Sequence, residues 1–70
     1  MAELDVDALI GRFRERAGAV RERTLPPVAG EERRMLIEAA ETDFMDFSLI
    51  GAASWTVEDG ALVLRIPLSQ

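Results

Sequence analysis

Ser54-Trp55-Thr56-Val57-Glu58-Asp59-Gly60-Ala61-Leu62-Val63-Leu64-Arg65-Ile66 is the stretch whose reading decides the fold. Asp59-Gly60 is a strong two-residue turn signal, because a type I′ turn needs positive φ at both central positions. That turn pairs Val57 with Leu62, Trp55 with Leu64 and Ala53 with Ile66. All six then share one face, and Ser54, Thr56 and Arg65 take the other. A three-residue turn would instead put Arg65 among the apolar set. A slip of one residue flips every side chain to the opposite face, so the hydrophobic pattern itself selects this register. The four-residue turn, Glu58 through Ala61, gives the same pairing.

Upstream the period changes from strand to helix. Val6, Leu9, Ile10, Phe13, Ala17 and Val20 recur at helical spacing, which predicts a first helix over about residues 6–23. Asp5 is positioned as its N-cap, since a carboxylate there accepts a free first-turn N–H. Leu4 and Leu9 stand where a hydrophobic staple would pack. Leu25 precedes Pro26 and is pushed out of the α region, so residues 24–30 form a stiff connector. Leu36, Ile37, Ala40, Phe44 and Phe47 make the stripe of a second helix over about residues 31–47, with Gly51 expected outside it. The hairpin occupies about residues 50–68. The expected fold is one small α+β domain over residues 1–70: a two-helix hairpin packed on a C-terminal β-hairpin, α-α-β-β.

Composition bounds what such a domain can do. The chain has 70 residues, a formal charge of −5, and no cysteine, histidine or tyrosine; lysine is absent as well. Disulfides and thiolate metal sites are therefore out, as are the commonest metal ligand and the usual general base. A domain this short has a marginal core and usually needs a staple. By elimination the staple is oligomerisation or a larger partner. No apolar run approaches the ~18 residues of a membrane span. The acidic start, Met1-Ala2-Glu3-Leu4-Asp5, is opposite to a signal peptide's basic one. The expected location is cytoplasmic, with no membrane partner.

The residues that could carry chemistry do not converge. Glu38, Glu41, Asp43 and Asp46 scatter around the second helix, and without histidine a Glu-x-x-His di-metal pattern cannot form. Ser48, Ser54, Ser69, Thr24, Thr42 and Thr56 have no histidine or lysine base to activate them. The five glycines lack the spacing of a phosphate loop. No catalytic, cofactor-binding or metal-ligating residue is assigned, and no enzyme activity or cofactor is expected.

Interaction residues are easier to nominate. Val6, Phe13 and Val20 sit at d of a heptad and Ile10 and Ala17 at a. Arg14 and Arg21 then take e, Arg16 and Arg23 take g, and Arg12 flanks the stripe on the same side as Arg16. Such positions set partner choice between paired helices. Glu32, Asp43 and Glu41 border the second helix's stripe, so arginine-to-acid seams between the two helices are expected. Trp55 reads as core on the hairpin's inner face or as an interface anchor. Val63 and Arg65 lie on a strand whose edge is open, and an open edge pairs with another chain or must be covered. Edge pairing in a symmetric dimer would make a four-stranded sheet. Ala8, Gly11, Gly18 and Ala19 leave the back of the first helix smooth enough for close approach of a second protomer.

Ala53-Ser54-Trp55, the Asp59-Gly60 turn and Leu62 through Pro67 resemble the last strands of the small heat-shock α-crystallin domain, across the 15 residues from Ala53 to Pro67. The chain is too short for that sandwich, and its preceding residues read as helix. The likeness is one of amphipathic pattern and implies nothing further.

The functional expectation is a non-enzymatic interaction or assembly module, acting as a homo-oligomer or as an accessory subunit of a larger complex. Two alternatives stand beside it. One is a nucleic-acid-associated regulator using the arginines of the first helix, against which the acidic net charge argues. The other is a small-molecule-binding protein with a pocket between Trp55, Phe44 and Phe47.

Overall fold

The computed structural model describes residues 4–68. Helix α1 spans Val6–Arg21 and helix α2 spans Gly30–Gly51. Strand β1, Ser54–Glu58, pairs antiparallel with β2, Ala61–Arg65. The class is α+β in the order α-α-β-β.

The local signals act as expected. The Asp5 carboxylate accepts the Ala8 N–H at 3.0 Å and caps α1. Asp59 and Gly60 adopt φ of +52° and +76°, the two left-handed residues that a type I′ turn requires. The ladder runs from Glu58↔Ala61 through Val57↔Leu62 and Trp55↔Leu64 to Ser54↔Arg65. The expected Ala53–Ile66 pair lies just beyond it.

Four contacts set the register of the helices, and it is offset. Gly51 abuts Arg14, Phe47 meets Phe13 at 6.0 Å between ring centroids, Phe44 lies under the Arg21 guanidinium at 4.2 Å, and Asp43 pairs with Arg23 at 3.0 Å. Each helix therefore overlaps the other along only about half its length. Residues 30–42 of α2 run on past the end of α1, for about 20 Å at 1.5 Å per residue. The first two turns of α1 run past the end of α2 in the other direction.

The connector makes this offset possible. Residues 22–29 must cover that ~20 Å, whereas eight helical residues would reach only about 12 Å. Pro26 and Pro27 lack the N–H groups a helix needs, and Leu25 before Pro26 is kept out of the α region, so the connector is not helical. A tight turn, with the Val28 N–H on the Pro26 carbonyl at 2.7 Å, then bends it toward α2. Leu25 and Val28 are half-buried along the way.

Two expectations about α2 are corrected. It runs four residues further than residue 47, and Gly51 is its last residue rather than a residue outside it. A Cβ at Gly51 would stand 3.1 Å from the Arg14 Cα and 3.2 Å from its nitrogen. Glycine is there for close approach, not for chain reversal. The helix stops at Ala52, whose N–H returns to the Ser48 and Leu49 carbonyls.

The core is thin. Val6, Ile10, Ala17 and Val20 are the buried apolar side chains among the described residues, and all lie on α1. The radius of gyration is 15.7 Å, against about 11 Å for a compact chain of this length. The accessible surface is 5720 Å², roughly 1,400 Å² above that of a compact monomer of the same mass. Leu4, expected to staple against Leu9, is exposed.

Candidate interaction surface

The hairpin is only partly covered, its β1 strand being exposed along its length. Its apolar face carries Trp55, Val57, Leu62 and Leu64. Trp55 is 37% exposed and Val57 62% exposed, so the turn end of that face stands in solvent. Trp55 is not a core residue. Its indole Nε1–H donates to Asp7 Oδ1 at 2.9 Å, tethering β1 to the first turn of α1. A tryptophan needs a polar partner for its N–H, and the offset of the helices leaves Asp7 as that partner. The helical pair touches the apolar face at its near end instead of covering it.

Backbone alternation decides which groups the hairpin offers. Glu58 and Ala61 close a two-residue turn, so they form a hydrogen-bonded pair, and Thr56–Val63 and Ser54–Arg65 follow at every second residue. The N–H and C=O groups of Leu62 and Leu64 consequently point outward from β2, as those of Val57 and Trp55 do from β1. Pro67 has the inward parity. It cannot prolong the ladder, yet it costs the outer edge of β2 no donor. Along β1, Thr56 Oγ1 donates to the Glu58 carboxylate at 2.8 Å, which holds a charge against that strand. Along β2 the one charge is Arg65.

Four of the five arginines on and just after α1 make specific contacts while staying exposed. Arg14 donates to the Gly51 carbonyl at 2.9 Å, Arg23 pairs with Asp43, Arg21 stacks on Phe44, and Arg16 lies 5.0 Å from the centre of its own neighbour, the Phe13 ring. Arg12 makes no such contact among the described residues. Among the described residues the expected arginine-to-acid seams reduce to one ion pair, from Arg23 just past α1 to Asp43 on α2, because the offset carries Glu32 beyond the end of α1. On α2 itself, Arg34 is clamped by Glu31 and by Glu38. Arg65 and Val63 lie together on the polar face of β2, Arg65 exposed and Val63 half-buried.

A groove of about 400 Å³ follows the outer side of α2, lined by Glu41, Phe44, Met45, Ser48, Leu49, Ala52 and Pro67. Met45 is 62% exposed beside it. Trp55 and Phe47 line neither this groove nor the one of about 350 Å³ around Arg14 and Ala17. The expected pocket between Trp55, Phe44 and Phe47 is not assembled: Trp55 is held by Asp7, and Phe47 by Phe13. Among the described residues no three acidic side chains converge on a point where a metal ion could sit, and no helix is long and apolar enough to cross a membrane.

No protein-family model, curated protein or solved structure matches this chain.

Proposed function

We propose that this protein is a non-enzymatic assembly module, which completes its core by docking on another protein surface as a homo-oligomer or an accessory subunit. The observation that carries this is the half-covered hairpin: a two-stranded sheet with two open edges and with Trp55 and Val57 exposed on its apolar face. An isolated hairpin of this kind is marginal in water. The large exposed apolar side chains Met35, Met45, Trp55 and Val57 supply further contact area. The lack of histidine, cysteine and lysine supports a role in binding rather than catalysis, and a cysteine-free chain suits the reducing cytoplasm.

Unfolding tests the reading. A chain whose fold depends on docking should lose structure in a broad transition at low protein concentration, with the midpoint rising as partner is added or as the chain itself is concentrated. Urea titrations followed by Trp55 fluorescence and by circular dichroism report this. A single sharp transition, coincident by both probes and independent of concentration and partner, sinks the reading.

A further inference from the structure

We infer that the β-hairpin is a hinged cover over the start of α1, latched by the Trp55–Asp7 hydrogen bond, and that it opens as a unit while the two helices stay paired.

The burial of α1 points to the cover. Val6 and Ile10 are 7% and 4% exposed, as buried as Ala17 and Val20 further along the helix. α2 accounts for Ala17 and Val20 but not for Val6. Its last residue, Gly51, stands against Arg14, eight residues or about 12 Å along α1 from Val6. The hairpin is the element placed there, since the Trp55 indole reaches Asp7, the residue next to Val6. The inner face of α1 is thus shared between two covers, the hairpin over Val6 and α2 over Ala17 and Val20, which meet near Ile10.

The two covers are held very differently. α2 is bound to α1 by the close approach of Gly51 to Arg14, the Arg14 bond to the Gly51 carbonyl, the Phe13–Phe47 contact, the Arg21–Phe44 stack and the Arg23–Asp43 pair. Among the described residues, Trp55 to Asp7 is the one side-chain hydrogen bond from the hairpin to a helix, and no ion pair joins them. The ladder runs only between β1 and β2. The N–H groups of Ala52 and Ala53 are spent on α2 carbonyls, so the pivot falls directly after them, between α2 and β1. β1 is exposed along its length, and its release costs little burial beyond that of the Trp55 ring.

Opening uncovers Val6 on α1 and the half-buried Leu62 and Leu64 on the hairpin together. A free two-stranded hairpin is marginal, so the released strands fray, and opening is the local unfolding of one cooperative unit. Exposure of this apolar surface is gated by one hydrogen bond and the burial beneath it. The step is intramolecular, and it stands apart from the assembly reading above.

Native-state amide exchange on the whole chain tests this, followed residue by residue in low urea and at two protein concentrations. The ladder amides of Thr56 and Val63 should be at least tenfold less protected than those of Phe44 and Phe47 in the helical overlap, with a weaker dependence on urea because less surface is exposed. Asp7→Ala should lower hairpin protection by a further factor of about three to ten and leave Phe44 and Phe47 unchanged. Asp7→Asn loses the same charge but keeps an acceptor oxygen, and should stay near the parent. Trp55→Phe removes the bond from the other side and should match Asp7→Ala. Equal protection and equal urea dependence in hairpin and overlap would make the molecule one cooperative unit and overturn the cover. Equal effects of Asp7→Ala and Asp7→Asn would overturn the latch. Hairpin protection that climbs with protein concentration would overturn free opening while supporting assembly; protection independent of concentration leaves the opening intramolecular.

Discussion

Replacing Gly51 with alanine should destabilise the protein, against the usual direction of that substitution. Glycine inside a helix normally costs about 1 kcal/mol relative to alanine. Gly51 has an ordinary helical backbone, so conformation alone favours the change. Packing opposes it. The new methyl would stand 3.1 Å from the Arg14 Cα, 3.2 Å from its nitrogen and 3.3 Å from its Cβ. Ordinary carbon contacts need about 3.5–4.0 Å. The neighbour is the backbone of α1, held by its own hydrogen bonds, and cannot swing aside as a side-chain tip would. The helices must part by a few tenths of an ångström where they overlap, which also strains the Arg14 bond to the Gly51 carbonyl. Overpacking of this kind costs about 1–3 kcal/mol. The propensity gain shrinks in the last helical residue, so a net loss of about 1–2 kcal/mol is expected. For a domain of this size each kcal/mol lowers Tm by about 4–8 °C. Gly18→Ala is the control, because a Cβ there meets nothing within 4 Å and should raise stability by about 0.5–1 kcal/mol. Thermal denaturation of both variants and the parent at one protein concentration decides the matter. A Gly51→Ala protein as stable as its parent would refute the close approach of the helices.

Three further outcomes follow from local geometry. Asp5→Ala removes the N-cap of α1 and should cost about 1 kcal/mol, read as a shift in urea midpoint at unchanged slope. Gly60→Ala forces a side chain into φ +76° and should cost about 1–2 kcal/mol, seen as faster amide exchange at Val63 and Arg65. Arg23→Ala should change stability by less than about 0.5 kcal/mol, since the Arg23 and Asp43 side chains are 50% and 40% exposed and such pairs are screened by water; a larger loss in thermal melts would show the pair to be structural.

What the sequence by itself determined lies within a few residues along the chain. The Asp59-Gly60 turn, the strand register around it, the Asp5 cap and the inner stripe of α1 each depend on contacts between near neighbours, and near neighbours are written side by side. The open edge of β2 was legible for the same reason. Only the tertiary structure decided how far the helices slide past each other. That offset comes from the span of the Pro26-Pro27 connector together with the fit of Gly51 against Arg14, two features distant from each other in sequence. It extends α2 to Gly51, reduces the expected ion-pair seams to Arg23 and Asp43, and moves Trp55 from an expected core to a tether on Asp7. Periodicity identifies which face of a helix is apolar, but it is silent on axial position, because a helix stripe looks the same at every turn.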